Sequence, residues 1–117
     1  LLQHFEDRDD GGFFFTADDH EQLIVRSKSF ADEATPSGNG VAALALQRWG
    51  WLLGEPRWLA AAERTLRAGW RPLERYPLGH MSLATALDEF LEPATILVLR
   101  GAAQAIERWR RELDRLW

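Results

Sequence analysis

The run Val41-Ala42-Ala43-Leu44-Ala45-Leu46 limits what this chain can become more than any other feature. It follows Thr35-Pro36-Ser37-Gly38-Asn39-Gly40, where Ser and Asn side chains suit a helix cap and a proline suits a first turn. The predicted helix is apolar on every side until Gln47-Arg48 breaks the run, and a helix of that kind belongs in an interior. We read it as an inner helix. Gly54 closes it and Pro56 opens a second helix, in which Leu59, Ala62, Leu66, Trp70 and Leu73 recur at spacings of three and four with charged residues opposite. That pattern marks an outer, amphipathic helix, with Gly69 and Pro72 expected to weaken its last turns. A third helix follows Pro77-Leu78-Gly79, carries Leu83, Leu87 and Phe90-Leu91 on one face, and stops at Glu92-Pro93. Residues 94–99 are apolar, short and rich in β-branched side chains, and are expected to form a buried strand. After Arg100-Gly101 a last helix should run to Trp117, with Ala102, Ala105-Ile106, Trp109, Leu113 and Leu116 on its stripe.

Ahead of the inner helix the pattern changes. Glu6-Asp7-Arg8-Asp9-Asp10-Gly11-Gly12 reads as a frayed helix end running into a Gly-Gly turn. Phe13-Phe14-Phe15-Thr16 and Leu23-Ile24-Val25-Arg26 should pair as a small antiparallel hairpin around the acidic tip Asp18-Asp19-His20-Glu21. Residues 27–39 are rich in Ser, Asp, Pro and Gly and read as a loop. The expectation is one mainly α segment: hairpin and loop over 1–39, helices over 40–92, a strand and a helix over 93–117.

Composition narrows the function classes. With 117 residues there is room for one domain or part of one. Hydrophobic residues make up 46%, too many for a chain disordered throughout. There is no cysteine, so thiolate metal sites, disulfides and cysteine nucleophiles are excluded. No apolar run is long enough for a membrane span, and the first residues lack a signal-peptide pattern; the expected location is cytoplasmic, with no membrane partner. Residues 1–40 hold nine acids against three bases, whereas 41–117 hold nine acids against eleven bases. Those bases alternate with acids at helical spacing, the pattern of a solvated face, so no nucleic-acid partner is expected.

Two stretches are too particular to follow from periodicity: Asp10-Gly11-Gly12-Phe13-Phe14-Phe15-Thr16-Ala17-Asp18-Asp19-His20-Glu21, and Ala34-Thr35-Pro36-Ser37-Gly38-Asn39. Over roughly residues 1–99 they resemble the YyaL-type family, which includes spermatogenesis-associated protein 20. Members of that family carry a thioredoxin-like domain followed by an (α/α) toroid similar to N-acylglucosamine 2-epimerases and six-hairpin glycosidases. The resemblance implies a fold more firmly than a reaction. The chain departs from the family's pattern at Glu33 and Gly40, where glycine and serine are expected. A closed ring of six hairpins needs twelve helices of roughly a dozen residues each, so 117 residues supply only a fragment of it, about two hairpins. Apolar faces left uncovered imply self-association or contact with the missing repeats. The thioredoxin-like domain lies outside this chain, and its redox chemistry does not transfer.

For chemistry, the densest titratable cluster is the 18–21 tip. Asp18 and His20 share a face of an extended chain and are the acid–base candidates, if the parent protein acts on a sugar as an epimerase or isomerase does. Ser37 and Asn39 at the helix start, together with Arg26, are the candidate substrate contacts. The bland alternatives are an acidic solvated turn, a helix-start motif and a local counter-charge. Ser37 lies outside any G-x-S-x-G pattern. The loop Asp7-Arg8-Asp9-Asp10-Gly11-Gly12 lacks the ligands of a calcium loop; no metal and no cofactor is expected. His80 reads as a boundary or core histidine, and the tryptophans at 49, 51, 58, 70, 109 and 117 mostly as packing. Beside the sugar-directed reading stands another: a non-catalytic toroid that holds a partner or the neighbouring thioredoxin-like domain.

Overall fold

The computed structural model describes residues 1–19 and 25–116. It contains four α-helices, α1 (Gly38–Leu53), α2 (Pro56–Arg75), α3 (Met81–Leu91) and α4 (Ala103–Leu113), with a 3-10 turn at Pro77–His80 leading into α3. The chain is thus mainly helical. Among the described residues the β-structure is limited to one isolated antiparallel bridge, Glu6 to Phe13.

The helix boundaries follow the local chemistry. Ser37 is extended, and its Oγ accepts a hydrogen bond from the Gly40 N–H at 3.0 Å, which caps α1. Gly54 ends it in the left-handed conformation, φ 66°, and sends its N–H back to the Gly50 carbonyl. Pro56 then opens α2. The second helix runs through Gly69 and Pro72 to Arg75 and so includes the whole stripe from Leu59 to Leu73. Pro72 sits in the last turns, where the hydrogen bond it removes is a small loss. Gly69 is buried, and the space its missing side chain leaves is filled by Leu83 and Phe30.

Contacts along the helices fix their directions. Gly40 lies against Ser82 and Leu83, the Gln47 amide donates to the Ala86 carbonyl at 2.9 Å, and Trp51 faces Phe90 at 6.5 Å between ring centres. Positions rise together, so α1 and α3 are parallel, with α2 returning between them. Ala43, Leu66, Leu73, Leu83 and Ala86 form the buried centre, and Phe30, Leu87 and Phe90 close over it. Gln47 is fully buried here rather than breaking the helix toward solvent. Gly40 has a steric reason: a Cβ there would lie 2.8 Å from the Leu83 nitrogen and would also strike the Ser82 hydroxyl.

Residues 1–19 and 25–36 form an irregular layer against the helices. Gly11 and Gly12, at φ 78° and 82°, reverse the chain, so that Asp7 N–H bonds the Gly12 carbonyl and Phe14 N–H the Phe5 carbonyl. The expected helix end over 1–12 is therefore a turn. Of the expected hairpin, Leu23 and Ile24 lie outside the described residues, and Phe15 N–H donates to the Ser27 carbonyl at 2.8 Å. An Asp7–Lys28 ion pair at 2.7 Å and an Arg64–Glu6 ion pair tie the layer together and to α2.

Two expectations fail beyond α3. Residues 94–99 are exposed and form no strand, because a single strand without a neighbour has nothing to hydrogen-bond to. The last helix ends at Leu113 and buries none of its residues; Trp117 lies outside the described residues. The radius of gyration is accordingly 17.7 Å, against about 13 Å for a compact chain of this length. No described helix is long and apolar enough to cross a membrane.

Substituting Gly40 by Ser should cost about 1–3 kcal/mol in chemical denaturation, since α1 and α3 must part to admit the side chain. Leu83→Ala, at the centre of the core, should cost about 2–5 kcal/mol. A neutral Gly40→Ser would show that the helices pack less closely than described.

Candidate functional site

Asp32 organises the start of both parallel helices. Its Oδ1 accepts from the Ser37 N–H at 2.8 Å and from the Ser82 hydroxyl, and its Oδ2 accepts from the Ser82 N–H at 2.8 Å. Burial pushes this carboxyl upward, but the hydrogen bonds from Ser82, Ser37 and Met81 outweigh it and hold Asp32 below the ordinary carboxylate range. A negative charge at two helix N-termini also meets the favourable end of each helix dipole. Ser37 completes the cluster, its hydroxyl 3.0 Å from that of Ser82.

Asn39 is buried one turn away. Its Oδ1 accepts from the Phe13 N–H at 2.7 Å, and its Nδ2 donates to the carbonyls of Phe13 at 3.0 Å and Ser29 at 2.9 Å. Both ends of the amide are engaged by backbone, as a neighbouring strand would engage it. The hydrogen-bonding groups of Ser37 and Asn39 are therefore used inside the chain. An open cavity of about 380 Å³ lies at this helix start, lined by Phe13, Phe15, Pro36, Gly38 and Ala42 among others. Its walls are mainly apolar.

Arg26 is a clamp. The guanidinium donates to the carbonyls of Thr16 and His4 and lies 4.2 Å from the centre of the Phe14 ring. It joins three segments of the N-terminal layer and is half-buried there.

Asp18 meets a residue the sequence reading passed over. His4 Nδ1 lies 2.9 Å from Asp18 Oδ1 and 3.9 Å from Asp19 Oδ2, and the Asp18 N–H donates to the His4 carbonyl at 2.9 Å. The His4 hydrogen bond holds the Asp18 carboxyl below its usual range. His20, the expected partner of Asp18, lies outside the described residues. Among the described residues, His4, Asp18 and Asp19 could hold a metal ion, their ligand atoms all within 4.8 Å of one another. All three are open to water, with Asp19 68% exposed and His4 40%.

The remaining candidates belong to the fold. His80 is buried, its Nδ1 2.8 Å from the Tyr76 carbonyl, as expected of a boundary histidine. Asp7 binds the N–H groups of Asp9 and Asp10 with its Oδ1 and Lys28 with its Oδ2, which gives the first acidic loop a purely internal role.

The largest surface feature is on α1. Ala43, Gln47 and Gly50 face α2 and α3 and Ala42 lines the cavity beside Phe13, while Val41, Trp49, Leu52 and Leu53 are 48–56% exposed. Arg48, paired with Glu89 at 2.6 Å, borders these exposed residues. The inner-helix expectation is met on one side and unmet on the other.

Replacing Asp32 by Asn should cost about 2 kcal/mol at neutral pH, because the amide keeps one acceptor oxygen for the two helix starts and carries no charge. Since the folded carboxyl is depressed, its contribution is present above the ordinary carboxylate range and fades as pH falls through the folded value. Thermal melts at pH 7 and pH 3 should show the wild type losing more stability than Asp32→Asn; parallel losses would refute the assignment. No protein-family model, curated protein or solved structure matches the chain.

Proposed function

We propose that this chain is a helical-hairpin unit of a YyaL-type (α/α) toroid and that it serves as a non-catalytic assembly module. The observation that carries this reading is the apolar arc of α1, where Val41, Trp49, Leu52 and Leu53 stand half-exposed on a helix whose other side is core. Side chains of this size leave on the order of 400 Å² of contiguous apolar surface, an extent that on ordinary monomers marks a binding site. The parallel α1 and α3, packed directly on one another with α2 as the outer return, suit a ring in which like helices stand side by side. Ser37, Asn39 and Arg26, first considered as substrate contacts, support this reading by being engaged within the layer and the helix caps.

A second reading keeps one specific observation in its favour. His4 and Asp18 form an exposed acid–base pair, and a toroid acting on sugars needs such a pair to remove and return a proton. In that reading a sugar stabilises the native chain and raises its melting temperature, and Asp18→Asn abolishes the effect.

The assembly reading is tested on the arc itself. Val41→Glu and Leu52→Glu should leave helical circular dichroism and cooperative unfolding within about 0.5 kcal/mol of the wild type, as surface substitutions do. Sedimentation should show the concentrated wild-type chain associating and both variants remaining monomeric. Variants that lose as much stability as Leu83→Ala, or that associate as the wild type does, would overturn it.

A further inference from the structure

Two apolar surfaces among the described residues bear on assembly. One is the arc of α1. The other is the tail beyond α3, where residues 92–105 are all exposed and α4 buries nothing. On α4 the apolar residues gather on one side: Ala105, Ile106, Trp109 and Leu113, continued by Leu116 in the turn that follows. Trp109 is 56% exposed and Leu116 76%. Spacings of three and four make this a single stripe, the kind that lies in a groove on another helix. Trp49 on α1 and Trp109 on α4 are thus large half-exposed aromatics at the middle of their respective faces, the residue type that anchors interfaces.

We infer that α4 of one copy docks on the α1 arc of a second copy, and reciprocally, so that the chain forms a two-fold exchanged dimer. This rests on the reading of the α1 arc as an assembly surface and names its occupant. Three observations select the second copy. The first is charge: residues 100–117 hold five bases against three acids, and residues 1–99 hold nine bases against fifteen acids, so the tail is +2 and the body −6. Two like tails would repel one another, whereas residues 41–99, which carry the α1 arc, hold six acids and six bases and present no net charge against the tail. The second is area. The tail leaves on the order of 600 Å² of apolar side chain exposed, and with the α1 arc the reciprocal contact buries about 2,000 Å² in total, the size class of stable homodimers. The third is disposition. Residues 93–102 lead away from the body, the molecule extends 59 Å along its long axis against 32 and 24 Å across, and α4 stands clear of α1, α2 and α3. An extended segment of ten residues reaches about 35 Å, enough to cross to a neighbour. Exchange of an identical element by such a hinge needs no surface beyond those the monomer already presents.

The chain has no cysteine, so the contact can be read with single introduced thiols. The 117-residue chain with Ala45→Cys, in the centre of the α1 arc, and the chain with Ala105→Cys, on the α4 stripe, should be mixed and treated with a short bis-maleimide. The mixture should yield a cross-linked product of about 27 kDa, twice the 13.4 kDa chain, and either variant alone much less of it. In the double variant the thiols should join between chains. An intrachain link in a monomer would place α4 on its own α1 and overturn the exchange. Trp109→Asp should weaken association about tenfold or more in sedimentation while the melting of the α1–α3 body is unchanged. A chain that associates through Val41 and Leu52 yet gives no α1–α4 cross-link would overturn this occupant and leave the assembly surface standing. A chain indifferent to substitutions at Val41 and Leu52 would remove both.

Discussion

One carboxylate decides the arrangement of the helices. Asp32 accepts hydrogen bonds from the first turn of α1 and the first turn of α3, and a single anion can do this only if both N-termini arrive at the same point. Parallel helices follow from that convergence, and α2 is then required as the return. Close approach follows as well. The Ser37 and Ser82 hydroxyls meet beside the carboxylate, and Gly40 lets the α1 backbone lie directly on Ser82 and Leu83. The Asn39 amide extends the same anchor outward to Phe13 and Ser29, which seats the N-terminal layer on the helix start. The polar groups of this region therefore form two neighbouring clusters, one around Asp32 and one around Asn39.

With α1 fixed by α3 on one flank and α2 on the other, the direction of its remaining side is no longer free. Val41, Trp49, Leu52 and Leu53 must point where no element of the body stands. The buried half of the helix uses small residues, Ala42, Ala43 and Gly50, for contact, and the open half carries the large ones. Small residues suit tight internal packing and large ones suit capture of a separate surface. The N-terminal layer leaves this arc uncovered because Arg26, Lys28 and Asp7 hold it folded on itself.

The helices were legible because their signals are local. Ser37, Gly54 and Pro56 punctuate the chain within a few residues of the boundaries they set, and α2 announces itself through Leu66 and Leu73 against its charged face. What escaped was distant. Asp32 acts through Ser82, fifty positions later, and no spacing near Asp32 signals a shared cap. Gln47 looks like a break in an apolar run until the Ala86 carbonyl appears beside it. His4 meets Asp18 only because Gly11 and Gly12 turn the chain back, and that turn gives a reversal without a register. Ser37, Asn39 and Arg26 were singled out because their setting is unusual; the unusual feature is a cap, a strand-like amide clamp and a carbonyl clamp. Residues 94–99 have the composition of a strand, but strand preference expresses a surrounding sheet, and none is there.

That same stretch has a further bearing on how the polypeptide behaves in solution. Ala94-Thr95-Ile96-Leu97-Val98-Leu99 is uncharged, β-branched and open on both faces, the composition of segments that stack into fibrils. Glu92-Pro93 stands on one side and Arg100-Gly101 on the other, a charge with a proline and a charge with a glycine. Such flanking pairs hinder sheet growth without interfering inside the segment. The chain thus carries an exposed apolar connector with a guard at each end.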